Sequence, residues 1–258
     1  IEFADYRDYT PGDDLRRLDW NVYARLGKPY VKLFEDEEDL AVHLILDTSA
    51  SMNWPPEGER AGEKLLFAKR IFAALAYISL ASNDALMLTA VNDFDGMKHF
   101  GPVRGRGHVV NMLRFVHNLE AKGLTAATAT LEDYALRFKR AGMVIFISDM
   151  FSPDGWLEGL NRLLANGHEV AIVHVLTPEE VMPPLAGDLR LVDIETGEAR
   201  EVTVDATLRD IYHRRLEAWR NQLRTECARR GAYYLPLQSD MVWERVLLHD
   251  MRRLGIVK

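Results

Sequence analysis

Residues 40–52, LAVHLILDTSASM, constrain this chain more than any other stretch. A run of apolar residues, interrupted only by His43, stops at Asp47 and is followed by hydroxyls at Thr48, Ser49 and Ser51. A run of strand length with no helical period reads as a buried central strand of a parallel sheet, and ligands of open α/β sheets collect where such strands end. The D-x-S-x-S turn offers one carboxylate and two neutral hydroxyls. Such hard oxygen donors suit Mg2+, whereas zinc prefers imidazole and thiolate. These five letters also allow a plainer reading, in which Asp47 forms a turn and Ser49 or Ser51 caps the next helix, a role worth about 1 kcal/mol.

The rest of the chain supplies the context. An apolar strand at 143–148, MVIFIS, ends in Asp149, a second carboxylate at a strand terminus. Between the two strands the pattern predicts a helix over 63–81, a strand over 85–92, and helices over 108–119 and about 129–140. Residues 93–107 read as a loop or hairpin. Their GPVRGRG lacks the GK[ST] of a phosphate loop and reads as a turn. A helix over 154–165 and a strand over 169–176 continue the alternation, which predicts a doubly wound, mainly parallel α/β sheet of Rossmann-like type with helices on both faces. Residues 177–204 break the rhythm: strands at 189–194 and 199–204 around E-T-G-E predict an inserted β-hairpin. A helix over 207–230, a strand over 233–237 and a closing helix over 243–254 follow.

Residues 1–39 form an N-terminal arm expected to pack on the core domain at 40–258. Within the arm, Leu15, Leu18, Val22 and Leu26 recur at helical spacing. They predict one short helix packed by Trp20, with Asp13, Asp14, Arg16, Arg17, Asp19 and Arg25 ion-paired around it. Residues 30–34 read as extended, and the acidic run 35–39 as a solvated approach to the central strand.

Composition narrows the function. The formal net charge of −7 argues against a nucleic-acid partner,, and Arg104, Arg106, His108 and Arg114 come without an aromatic stacking platform. No apolar run approaches the roughly 18 to 20 residues needed to cross a bilayer, and the start does not resemble a signal peptide. The single cysteine, Cys227, excludes an internal disulfide framework and fits a reducing compartment,. A cytoplasmic location is expected, with sequence upstream of Ile1.

Asp47-x-Ser49-x-Ser51, Thr125 behind Lys122-Gly123-Leu124, and Asp149 occur in the order that resembles the von Willebrand factor type A fold and its metal-ion-dependent adhesion site. YRDYTPGDDLRRLDWNVYAR, ahead of the central strand, resembles the signature of the bacterial domain-of-unknown-function family DUF58, which has such a core. The resemblance implies that Mg2+, or Mn2+ or Ca2+, is held by the hydroxyls of Ser49 and Ser51. Thr125 would be a further ligand, with Thr128 and Thr130 as close alternatives, and Asp47 and Asp149 would act mostly through water. It implies a docking point for an exposed Asp or Glu of a protein partner, and it points to a MoxR-type AAA+ ATPase in the assembly or maturation of complexes. The alternative is a Mg-dependent phosphatase of the haloacid dehalogenase type. That chemistry places a second Asp two residues after the first, where this chain has Ser49. No His or Lys stands next to either carboxylate turn in sequence to serve as a base. Two carboxylates close together repel when no metal is bound, so replacing Asp47 or Asp149 by alanine is expected to spare the fold and even to raise stability.

Overall fold

A computed structural model describes residues 2–35, 41–193 and 197–256. The acidic run at 36–39, Leu40 and the hairpin tip at 194–196 lie outside the described residues. The chain divides into two compact units, Ile1–Asp39 and Leu40–Lys258.

In the first unit β1 (Glu2–Asp8) pairs antiparallel with β2 (Tyr30–Glu35), and a 3-10 turn (Leu15–Arg17) and α1 (Trp20–Leu26) connect them. The helical pattern is split at Asp19, whose buried carboxylate accepts the N–H groups of Asn21 and Val22 and so starts a new helix,. Tyr6 donates its hydroxyl to the same carboxylate at 3.0 Å. The expected packing by Trp20 does not occur: its side chain is 62 % exposed, and Leu18 is buried in its place. A capping carboxylate therefore starts the helix of this unit, where the sequence pattern suggests an aromatic anchor.

The second unit is a doubly wound α/β domain. Its six-stranded sheet has the order β10-β7-β6-β3-β4-β5, built from β3 (Ala41–Asp47), β4 (Ala85–Asn92), β5 (Gly96–Val103), β6 (Met143–Ser148), β7 (Glu169–Leu176) and β10 (Tyr233–Gln238). All neighbours are parallel except β5, which turns back antiparallel on β4. The GPV of the expected Gly-rich turn is thus the end of an edge strand, and the turn begins only after it. Each edge strand carries a proline, Pro102 in β5 and Pro236 in β10.

Side chains alternate along the strands and build a core on each face. One face packs Leu44, Leu46, Leu86, Leu88, Ile145 and Ile147 against α2 (Glu63–Ala81), α3 (Val109–His117), and α8 (Trp243–Arg245) with its π-helical continuation, Val246–Met251. The other packs Ile45, Val91, Val144, Phe146 and Ile172 against α4 (Ala127–Arg137), α5 (Leu157–Ala165) and α7 (Ala206–Arg229). α4 and α5 meet closely at Gly159, where an added Cβ would lie 2.7 Å from the Cβ of Leu131. Between β7 and α7 come a single helical turn, α6 (Pro178–Val181), which the sequence pattern does not predict, and the expected hairpin of β8 (Gly187–Val192) and β9 (Ala199–Val204).

His43 lies in the second core at mid-strand. Its Nε2 faces the Arg140 carbonyl at 3.1 Å, which can only accept, so Nδ1 is the bare nitrogen that takes the Tyr134 hydroxyl at 2.8 Å,. Burial, with His168 beside it, pushes the His43 pKa down to about 4. The unfolded chain therefore binds more protons than the native state between the ordinary histidine value and about 4, and stability falls as the pH drops through that window,. Urea midpoints at pH 7.5 and pH 5.0 should show this loss, and His43→Gln should reduce it. An unchanged pH dependence in the variant would contradict the assignment.

Candidate functional site

β3 and β6 are parallel neighbours with Leu46 opposite Ile147, so Asp47 aligns with Ser148, and Asp149 follows one residue later at the carboxyl end of the sheet. The sheet register alone brings the two sequence-distant carboxylates together. Both are sealed from solvent, at 3 % and 1 % exposure.

Asp47 accepts three hydrogen bonds from within the protein. Its Oδ1 accepts the Ser49 N–H at 2.9 Å and the Thr125 hydroxyl at 2.7 Å, and its Oδ2 accepts the Ser148 hydroxyl at 2.7 Å. Burial, then the charge of Asp149, raises its pKa, while these three donors pull the other way,. The partner of Asp47 is Thr125, in the loop before α4, and the alternatives Thr128 and Thr130 belong to the helix itself.

That loop is held by backbone bonds to the chain leaving β3 and the chain leaving β4. Lys122 N–H donates to Thr48 O, Ala50 N–H to Gly123 O, and Asp93 N–H to Leu124 O, each at 2.8 Å. Gly123 has φ +67°, and a Cβ there would lie 2.0 Å from the Asp93 carboxylate, so this position requires glycine,.

Ser49 begins a 3-10 turn, Ala50–Met52, but its side chain makes no capping bond. Its hydroxyl instead faces that of Ser51 at 3.0 Å. The plainer reading of D-x-S-x-S as a helix cap is thereby excluded for Ser49. Ser51 lies on the wall of an open groove of about 680 Å3, with Trp54, Leu124, Phe151, Glu180, Asp193 and Trp219 among its other walls. Phe151 and Trp219 stack with ring centres 5.4 Å apart. After Asp149 the chain turns through Met150 with φ 61°, a left-handed conformation unusual for a residue with a side chain,. The turn is closed by the Phe151 N–H on Asp149 Oδ1 and the Met150 N–H on Ser148 Oγ.

The sequence reading does not single out Lys64. Its ammonium, fully buried, donates to Asp149 Oδ2 and to Glu180 Oε1, both at 2.7 Å, and to the Ser51 carbonyl at 3.3 Å. Three donors meet three acceptors. Burial by itself disfavours the charge, but Asp149 and then Glu180 outweigh it and hold the Lys64 pKa above its ordinary value. Glu180 is fixed by a capping box in which its Oε2 accepts the Thr177 N–H while the Thr177 hydroxyl accepts the Glu180 N–H,. His174 on β7, pushed down to about 3 by burial, stays neutral nearby.

The donor set suits a hard cation in type, since hydroxyls and carboxylates are what Mg2+ takes. Among the described residues no three His, Cys, Asp or Glu side chains cluster into a cage. A metal here would depend on Ser49 and Ser51, with Thr125, Asp47 and Asp149 behind them, and Asp149 already has a positive neighbour.

The comparisons speak to family and fold. The family model described as protein of unknown function DUF58 matches residues 5–222. The chain belongs to the DUF58 family. Uncharacterized protein Rv1480 of Mycobacterium tuberculosis is 34 % identical over 246 residues, covering 94 % of this chain and 76 % of its own. Uncharacterized protein MAV169 of Mycobacterium avium is 39 % identical over 105 residues, covering 41 % of this chain and 62 % of its own. Among solved structures, the conserved hypothetical protein BatB of Bacteroides thetaiotaomicron superposes with a TM-score of 0.51 at 15 % identity, over 84 % of this chain and 99 % of its own. The pilus adhesin SpaC of Lactobacillus rhamnosus GG gives 0.54 at 11 % identity, over 85 % of this chain and 31 % of its own. This DUF58 chain therefore has a von Willebrand factor type A-like core. No helix among its described residues is long and apolar enough to cross a membrane.

The contacts of Asp47 reverse the expectation that its removal stabilises the fold. Asp47→Ala would strand the Thr125 and Ser148 hydroxyls and the Ser49 N–H in a closed space, at a cost of about 2 to 4 kcal/mol. A urea midpoint for Asp47→Ala equal to or above that of the parent protein would contradict this.

Proposed function

We propose that this DUF58 domain is a protein-docking module whose contact point is the D-x-S-x-S turn where Ser51 meets the wall of the aromatic groove, with the Ser49 hydroxyl buried behind it. In this reading Ser49 and Ser51, with Thr125, Asp47 and Asp149, hold Mg2+, or Mn2+ or Ca2+, which when bound supplies an electrophilic position for an Asp or Glu of the partner. The observation that carries the proposal is the division of labour within the turn. Asp47 is engaged inside the protein by three hydrogen bonds, while among the described residues the two serine hydroxyls face each other, Ser51 bordering the open groove and Ser49 buried directly behind it. The resemblance to DUF58 suggests a MoxR-type AAA+ ATPase as the partner, and the single buried Cys227 fits a reducing, cytoplasmic setting,.

The phosphatase reading is weaker on the same geometry. A nucleophilic carboxylate needs a free, ionised oxygen facing substrate. Asp47 is 3 % exposed, both of its oxygens accept hydrogen bonds, and its burial favours the protonated form.

Calorimetric titration with a purified MoxR-type ATPase tests the proposal. Affinity should fall about ten- to a hundredfold on replacing Mg2+ by EDTA, and similarly in Ser49→Ala or Ser51→Ala, with circular dichroism unchanged. Equal affinity in both buffers would place the docking surface elsewhere, and turnover of p-nitrophenyl phosphate that is lost in Asp47→Asn would favour the phosphatase.

A further inference from the structure

Lys64 is the one charged side chain of α2 on the face turned to the sheet, and it is completely closed to solvent. Its two carboxylate partners differ. Asp149 is 1 % exposed and shares the end of the sheet with Asp47, whereas Glu180 is 16 % exposed and borders the groove. The ammonium sits between them with a third contact to the carbonyl of Ser51, inside the D-x-S-x-S turn itself, and with the Phe151 ring 5.4 Å away.

Taking the Ser49–Ser51 cluster as a divalent-cation site, as proposed above, we infer that Lys64 is the resident cation of that site: its ammonium holds Asp149 when no metal is present, and Glu180 is the second berth that keeps the ammonium paired when a metal ion takes Asp149. A positive charge already on the site's innermost available carboxylate competes directly with an incoming dication. Release from Asp149 alone would leave a buried ammonium underpaired, which is costly. Glu180, already 2.7 Å away and locked by the Thr177 capping box, removes most of that cost without any large movement. The site therefore keeps its charge balanced without metal, and its affinity for metal is set by Lys64 and Glu180, neither of which is a ligand in the docking reading.

Manganese titrations followed by the electron paramagnetic resonance of free Mn2+ test the inference on the intact chain, with no partner present. The variant Lys64→Met/Glu180→Gln leaves the net charge of the protein unchanged but frees Asp149, and it should bind Mn2+ about tenfold more tightly or better, the order of effect of one unit charge a few Å away in a partly screened site. Glu180→Gln alone leaves the ammonium only Asp149, so it should bind more weakly than the parent. Lys64→Met alone would leave a buried and a part-buried carboxylate without their shared counter-charge, and the double variant removes one of them, which guards against a variant that fails to fold. Adding Ser49→Ala to the double variant should abolish the tight binding. If the double variant binds Mn2+ no more tightly than a parent whose own binding is lost in Ser49→Ala, the role of Lys64 is overturned and the metal site stands. If neither protein binds Mn2+, both are overturned.

Discussion

A carboxylate taken out of water must be given donors, and around Asp47 that requirement organises the whole end of the sheet. The Thr125 hydroxyl comes from the loop before α4, the Ser148 hydroxyl from the last residue of β6, and the N–H from the turn after β3. Three separate stretches of chain are thus tied to one pair of oxygens, and the bonds of Lys122, Ala50 and Asp93 knit the same loops together through the backbone. Removing the carboxylate would untie segments far apart in sequence, which is why a charge that looks expendable from its burial alone holds the site's shape. A buried, unshared carboxylate is expensive. Here it is shared among elements that otherwise meet only at their ends.

Lys64 and its two carboxylates follow a different logic. Buried ion pairs contribute little net stability because desolvation offsets their attraction, yet removing one partner is severe. Such an arrangement specifies more than it stabilises: the ammonium has three acceptors in fixed directions, and the backbone at Ser51, the end of β6 and the start of α6 must all be in place to supply them. The trio also links α2, on one face of the sheet, to α6, whose Glu180 carbonyl accepts the Tyr212 hydroxyl of α7 on the other.

Much of this was legible in the sequence because it rests on strand ends. The apolar runs at 41–47 and 143–148 place Asp47 and Asp149 at strand termini, and the parallel register does the rest, while Thr125 comes from the family resemblance, with Thr128 and Thr130 left as alternatives until the fold puts both of them inside α4. What was missed had weaker signals. Lys64 is followed at four-residue steps by Ala68, Phe72 and Ala76, a buried face of α2, so a lysine on the core side was visible but read as part of an ordinary amphipathic helix. Thr177-Pro178-Glu179-Glu180 carries both a capping-box spacing and a proline at the first helical position, yet the segment reads as a break because α6 is a single turn,. Trp20 misled in the other direction: a large aromatic among charges suggests packing, but the capping demand of Asp19 decides where α1 starts and leaves the ring outside. The end of β5 was hidden by its own glycine and proline, residues that an edge strand tolerates and an interior strand does not.

Those edge prolines limit how the six-stranded sheet could be extended. Pro102 lies in one outermost strand and Pro236 in the other, and neither has an N–H to offer an added strand,. Extending the sheet with a peptide from another protein, the mode in which main-chain hydrogen bonds supply the affinity, would meet a missing donor on either side. At the six-stranded sheet, contact with another molecule would therefore fall to side chains, at the loop end or on the outer surfaces of the helices, where point substitutions can alter the chemistry without touching the sheet.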